Sequence, residues 1–282
     1  MNSGFVLGLG AALAWGIADV IVTYYARRVG YLRALLVIHG LSLLPLAALA
    51  LVLGAPEGAS WTQWAAAAAL GPLAVAVYAA FYRALELGPI SIVSPITSAF
   101  GAVVVVLALL VGETLTELQA LGCALVLLFV VLTSVERSAG VQWGSEGVRL
   151  SVLVCLLFGA YLFLLGRLAE DMGWLFPILL SRGVAVVILA GIVALRPERE
   201  PRSLGRAGVL GCAATGALEA SGYLLFNRGA EIGELAITGA AVSAYPVIPI
   251  AVGLFALRER VAWHQLIGVA GVLVGMVLLS LG

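Results

Sequence analysis

Apolar residues run along this chain in long stretches broken by short polar connections. An α-helix needs about 20 predominantly apolar residues to cross a hydrocarbon core of roughly 30 Å. Ten stretches meet that requirement, and they predict spanning helices over 5–25, 32–53, 63–83, 91–111, 117–135, 149–168, 175–195, 206–227, 235–256 and 262–281. What remains between them leaves no room for a separate soluble domain.

The same pattern occurs twice. Tyr78, Phe81, Arg83, Glu86 and Gly88 are spaced as Tyr223, Phe226, Arg228, Glu231 and Gly233 are. Ser98 pairs with Ser243 at the same offset. After one inserted residue, Glu113, Gln119, Gly122 and Ser134 pair with Glu259, Gln265, Gly268 and Ser280. Upstream, Trp15-Gly16 pairs with Phe158-Gly159, and His39-Gly40 with Arg182-Gly183. A helical repeat of this size buries its apolar faces only by packing on its mate. The boundaries read as a first five-helix unit over 1–138, a linker over 139–148 and a second unit over 149–282.

Five crossings are an odd number, so the second unit enters the membrane from the opposite side to the first. The predicted fold class is an all-α integral membrane protein of ten transmembrane helices in two inverted five-helix repeats. In transporters such repeats are related by a pseudo-two-fold axis in the membrane plane, with the substrate site near the midplane where they meet.

Composition agrees with a lipid bilayer as the solvent. Hydrophobic residues make up 63% of the chain and charged residues 11%, against about 25% charged in soluble domains. All fifteen basic residues are arginine and the formal net charge is zero, which speaks against nucleic acid as a partner. The run from Arg196 to Arg206 alternates in sign and holds two prolines, and reads as a solvated loop. The first apolar stretch lacks a basic leader and a small-residue cleavage site, so it reads as a retained helix. Cys123, Cys155 and Cys212 fall inside predicted spans without ligand spacing and read as packing residues.

Four ionisable residues lie well inside predicted spans: Asp19, His39, Arg182 and Glu219. A charged residue at the centre of a spanning helix costs about 2.5–3.5 kcal/mol on insertion scales, so it faces a cavity or a partner and marks a pathway. Asp19 and His39 each lie about two turns from the connection of the first two spans, at a rise of roughly 1.5 Å per residue, and sit at one level. Arg182 and Glu219 share a level in the second unit. The prediction is one central cavity lined by these four. Arg182 has the planar fork that suits a carboxylate. Asp19 and Glu219 are candidates for a substrate amine or a coupling proton, and His39 for relaying that proton. The competing reading is a pair of fixed ion pairs that lock helices.

Around the charges, Trp15 sits one turn from Asp19, and Tyr223 and Asn227 follow Glu219 at i+4 and i+8 on one face. Tyr78 is the repeat mate of Tyr223, and their faces suit cation binding or gating. Ser94, Pro95, Thr97, Ser98 and Gly101 concentrate small and polar groups in the fourth span. Thr238, Gly239, Ser243, Tyr245, Pro246 and Pro249 do so in the ninth, so both helices are expected to bend. Thr116 and Gln119 have capping-box spacing, and Glu113 is placed to favour the positive end of the fifth helix. Arg83 with Glu86 and Arg228 with Glu231 read as interfacial pairs at i and i+3.

In its ordered set of short motifs the chain resembles the drug/metabolite transporter superfamily, in its ten-helix branch with two tandem EamA domains. The set comprises Trp15-Gly16, the connection from Ala84 through Leu87 to Ser91, Gly112-Glu113, Arg182 near the second-helix arginine position of the second domain, and Glu259 opposite Glu113. The resemblance implies a secondary transporter of small metabolites in the cell membrane, often an exporter, with no nucleotide-hydrolysing subunit and with both termini cytoplasmic. The arginines, crowded into the odd-numbered loops, place the termini outside by the positive-inside rule. Two positions depart from the family pattern: His39 stands where arginine is frequent, and Asp19 where a small polar residue is common.

No H-E-x-x-H, D-D-x-x-D or glycine-rich phosphate loop is present, so neither an enzyme nor a bound cofactor or metal is expected. A channel or a membrane scaffold remains as an alternative class. Among carriers, phosphorylated or nucleotide-linked sugars call for several basic groups. Two buried carboxylates against Arg182 and His39 favour a zwitterionic or cationic solute, carried by a monomer or homodimer.

Overall fold

Long apolar stretches in a single chain must satisfy their own backbone groups, and helices do so within each segment. The computed structural model describes residues 2–29, 31–87, 96–134, 146–195, 205–232, 234–245, 247–248 and 263–281. Among these residues ten helices account for the fold and no strand occurs. They are α1 (Ser3–Val29), α2 (Tyr31–Leu53), α3 (Trp61–Leu87), α4 (Phe100–Leu110), α5 (Glu117–Ser134), α6 (Glu146–Met172), α7 (Phe176–Leu195), α8 (Gly205–Glu231), α9 (Leu235–Val242) and α10 (Trp263–Leu281).

Each helix falls within or over a predicted apolar stretch, and six (α1, α2, α3, α6, α7 and α8) are long and apolar enough to cross a membrane. Several outrun the stretch that predicted them. α8 continues past 227 because Arg228 pairs with Glu231 one turn on, and α6 continues past 168 over the Arg167–Glu170 pair. In the other direction, the helix described within 235–256 ends at Val242.

The bends expected in the fourth and ninth stretches fall at equivalent places. Helical residues 96–98 are interrupted at Ala99 before α4 begins, and α9 gives way after Ser243 to turns in which Ala244 and Tyr245 bond three residues back. The two breaks carry Ser-Ala-Phe and Ser-Ala-Tyr, one repeat offset apart. Ser94, Pro95, Pro246 and Pro249 lie outside the described residues, as do Glu259 and the arginine-rich segment over 196–204. The side chains of Glu86, Ser134, Gln265 and Ser280 do too, so the Arg83–Glu86 pairing falls outside the description.

Apolar side chains face outward as well as inward. Val187 is 72% exposed and Leu128 63% in the middle of their helices, a surface suited to acyl chains and not to water. Inside, helices approach through glycine. At Gly16 of α1 a Cβ would lie 2.7 Å from Ile248 and 2.9 Å from the Tyr245 carbonyl. At Gly159 of α6 it would lie 2.7 Å from the Phe100 carbonyl and against Val103. Gly71 of α3 meets the Ser181 carbonyl and Val184 on α7 at 2.9 and 2.6 Å, and Gly216 of α8 meets the Ile38 carbonyl on α2 at 2.6 Å. Helix contacts follow suit: α1 packs on α8 and α9 as α6 packs on α3 and α4, α2 on α8 as α7 on α3, and α5 on α10.

One end of the bundle is tied together by polar contacts. The Glu234 carboxylate accepts the Gly4 N–H at the start of α1. Glu113, between α4 and α5, accepts the Ala236 N–H at the start of α9 at 2.9 Å. Gln63 at the start of α3 donates to Asp171 at the end of α6 at 2.9 Å. Thr116 and Gln119 form the expected capping box, with bonds of 2.9 and 3.2 Å. Glu113 corrects the sequence reading: its carboxylate bonds the α9 N-terminus, because the α4–α5 turn is carried over that end by the packing of α4 on α9.

Candidate functional site

The centre of the bundle is an aromatic frame. The hydroxyls of Tyr78 (α3) and Tyr223 (α8) hydrogen-bond to each other at 2.7 Å, and these two residues are repeat mates. Trp15 stacks edge-on against Tyr223 at 5.0 Å, and its mate Phe158 against Tyr78 at 5.8 Å. Phe100, the first residue of α4, lies 6.2 Å from Trp15 and 4.9 Å from Phe158. Its mate Tyr245 stacks on it at 5.9 Å. Trp15 is seated by its indole N–H donating to the Glu219 carbonyl at 3.2 Å and by the bare backbone of Gly222, where a Cβ would collide with the ring.

The charged residues break this symmetry. His39 sits edge-on to Tyr78 at 5.0 Å, and its mate Arg182 lies over the Tyr223 ring with Cζ 5.1 Å from the centroid. Both are 2% exposed. Arg182 Nη1 donates to Ser42 Oγ at 2.8 Å and Nη2 to Glu219 Oε2 at 3.4 Å. Ser42 in turn donates to the His39 carbonyl at 2.7 Å. His39 Nδ1 is buried without a hydrogen-bond partner and lies 3.8 Å from the same Glu219 oxygen. Tyr161 and Ser181 close the far side with a 3.0 Å hydroxyl contact.

A cavity opens beside this cluster. Asp19, Glu219, Trp15, Tyr78, Phe158 and Tyr245 are on its wall, with Thr97 and Phe81. Those positions lie at or beyond the middles of α1 and α3, away from the polar ties among Gly4, Glu113, Asp171 and Glu234. The cavity is thus offset toward the opposite end of the bundle.

Of the predicted site residues, the structure brings together Trp15, Asp19, His39, Tyr78, Arg182, Glu219 and Tyr223. The two expected ion pairs become one cluster in which Glu219 is approached by both Arg182 and His39, while Asp19 joins Glu219 on the cavity wall. α2 packs on α8, and that contact carries His39 across the repeat boundary. Asn227 lies elsewhere: it donates to the Trp174 carbonyl at 3.1 Å and fastens the turn between α6 and α7. Ser98 and Ser243 are fully buried outside the wall, and Ser243 bonds the Gly239 carbonyl at 2.9 Å where α9 meets Gly101 of α4. Sequence reasoning missed Ser42, Phe100, Phe158 and Gly222 as parts of the site. Phe158 and Phe100 are the repeat mates of Trp15 and Tyr245, so extending the repeat pairing through the aromatics would have found both. Among the described residues no cluster of three or more His, Cys, Asp or Glu has the arrangement of a metal site.

The family model described as "EamA-like transporter family" matches residues 2–135 and again residues 145–281. A solved structure described as "Crystal structure of protein" is similar over 100% of this chain and 97% of its own length, with a TM-score of 0.78 at 18% sequence identity. At that identity the likeness speaks for the fold. No curated protein sequence matches.

Proposed function

Since the chain belongs to the EamA-like transporter family, and so is a multi-pass membrane transporter of small solutes and not an enzyme, we propose that it works as a secondary-active exporter. In this reading all ten helices cross the cell membrane as two inverted five-helix repeats, 1–138 and 149–282, joined through 139–148. The solute is a zwitterion or a cation, such as an amino acid or amine. Asp19, Glu219 and His39 are the groups through which a proton gradient would couple.

The observation that carries this reading is the meeting of Tyr78 and Tyr223 at 2.7 Å, with His39 and Arg182 against their outer faces and Trp15 and Phe158 beside them. Equivalent residues of two repeats meeting at one central point is the placement expected of an alternating-access site. The paired approaches at Gly16 and Gly159, and at Gly71 and Gly216, support the same axis. The ties at one end and the cavity offset toward the other are consistent with a state closed on one side. Such a state changes access by moving one repeat against the other.

The test is uptake of a labelled amino-acid and amine panel into proteoliposomes, with and without an imposed pH gradient, comparing wild type with Glu219→Gln. Saturable, gradient-dependent uptake that disappears in a folded Glu219→Gln protein is the expected result. Uptake that neither saturates nor responds to the substitution would favour a channel. A variant that fails to fold at all would return the Arg182–Glu219 pair to a purely structural role.

A further inference from the structure

The tied end of the bundle has the build of a latch, an inference that rests on the alternating-access reading above. Each of its ties takes one partner from each family-matched segment, 2–135 and 145–281. Glu113 of the first accepts the Ala236 N–H of the second at 2.9 Å. Glu234 of the second accepts the Gly4 N–H of the first, and the Gly4 carbonyl accepts the Thr238 hydroxyl at 3.2 Å. Gln63 donates to Asp171 at 2.9 Å. All but the last fall on the first turn of α9 or the residue before it. The fit is close, because a Cβ at Gly4 would collide with Glu234 and Thr238, and one at Gly229 with Thr238.

Glu113 is a costly place for a permanent charge. It is half-buried in the α4–α5 turn, outside the helices. Among the described residues its charged neighbours are the acids Glu170 and Glu234 and the cation Arg167, which is itself paired with Glu170. Cys123 of α5, a buried thiol, is the further titratable group beside it. The bond to Ala236 outlasts protonation, since a neutral carboxyl still accepts through its carbonyl oxygen. What the proton removes is the cost of a buried charge and its repulsion by the two acids. Burial raises the Glu113 carboxyl above 4.5 in this closed arrangement, and in an opened end a hydrated carboxyl returns to its ordinary value. Proton binding and closure therefore favour each other. The proton-linked part of closure is full below 4.5 and is lost as pH rises through the raised value.

We propose that Glu113 is a proton-sensitive latch residue: protonated, it holds the α4–α5 turn on the start of α9 and closes this end; ionised, it loosens the turn and lets the end open.

The test follows opening with no solute present. With the three native cysteines replaced by alanine, spin labels are placed at Leu118→Cys and Ile232→Cys, exposed positions on either side of the latch. Pulsed electron resonance in proteoliposomes reads the distance between them as pH is raised. With Glu113 intact, a short distance at acid pH is expected to give way to a longer one. Glu113→Gln, which keeps an acceptor and cannot ionise, is expected to hold the short distance throughout. Glu170→Gln removes a repelling acid and frees Arg167, and is expected to lower the open-to-closed ratio at the alkaline limit about threefold.

A distance indifferent to pH with Glu113 intact overturns the proposal, and so does a Glu113→Gln protein that opens with pH as the intact latch does. If Glu113→Gln does not fold, Glu170→Gln decides, and an unchanged ratio overturns the latch. The two readings fail separately. Opening with pH but no counterflow of any amino acid or amine leaves the latch and removes the carrier. Saturable counterflow with a distance indifferent to pH leaves the carrier and removes the latch.

Discussion

Glu219 is the residue on which the site turns, because a single oxygen is approached by Arg182 at 3.4 Å and by His39 at 3.8 Å. Arg182 is 2% exposed, so removing its acid leaves a buried charge with Ser42 as its hydrogen-bonding partner. Glu219→Ala is therefore expected to cost about 3–5 kcal/mol, whereas Glu219→Ala combined with Arg182→Met, which removes both charges, costs much less. Unfolding temperatures of the two single variants and the double variant in detergent measure this, and additive losses would show the pair to be uncoupled. The tyrosine joint makes a second expectation: Tyr78→Phe and Tyr223→Phe should each cost about 1 kcal/mol, since either leaves the other buried hydroxyl short of its partner. Most of this cluster was legible in the sequence. A charge inside an apolar stretch announces itself, and a motif stated twice identified Tyr78 and Tyr223. Ser42 carried no such signal, because a serine in an apolar helix is common. Its importance comes from Arg182 reaching it across 140 positions of sequence. Asn227 misled for the complementary reason: its i+8 spacing put it on the right face, but one turn too far along α8 to reach the cavity.

At the scale of elements, helices meet where glycine lets backbones close. A Cβ at Gly71 would lie 2.6 Å from Val184, and one at Gly216 would lie 2.6 Å from the Ile38 carbonyl. Gly71→Ala and Gly216→Ala are expected to destabilise by similar amounts, about 1–3 kcal/mol each, as overpacked crossings do. A marked difference between them in thermal unfolding would argue against equivalent crossings. The tie at the start of α9 has a pH signature. Burial raises the Glu113 carboxyl above its ordinary value of 4.5, opposed by the N–H of Ala236, and the neighbouring Glu170 and Glu234 raise it further while Arg167 lowers it. A carboxyl whose folded value is raised binds its proton more tightly when folded, so its contribution to stability is full below 4.5 and is lost as pH rises through the raised value. Wild-type unfolding temperature should fall over that window more steeply than that of Glu113→Gln. Equal slopes would place the titration elsewhere. Helix positions were readable from apolar length alone. Helix ends were not, because pairs such as Arg228 with Glu231 extend a helix beyond its apolar stretch, and because α9 gives way at Ser243 to a turn that hydropathy does not register.

At the scale of the whole molecule, the repeat detected in the sequence reappears as mated contacts. The side-chain asymmetry placed on that frame gives the site its chemistry. The inverted arrangement proposed for the two repeats makes a topological expectation. With Cys123, Cys155 and Cys212 replaced by alanine, single cysteines at Glu57 and Asp171 should be labelled by a membrane-impermeant maleimide from one face of oriented vesicles, and at Gly140 and Arg199 from the other. Labelling of all four from one face would refute the inverted arrangement. In the proposed transport cycle the two repeats move against each other around the Tyr78–Tyr223 joint to expose the cavity alternately. Its most direct test is trans-stimulated counterflow by a protein carrying Gln63→Cys and Asp171→Cys, positions whose side chains now touch across the tied end, before and after a short bifunctional thiol reagent links them. Linking is expected to abolish counterflow, and reduction of a cleavable link to restore it, with the folded protein intact throughout. Undiminished counterflow by fully linked protein would contradict it.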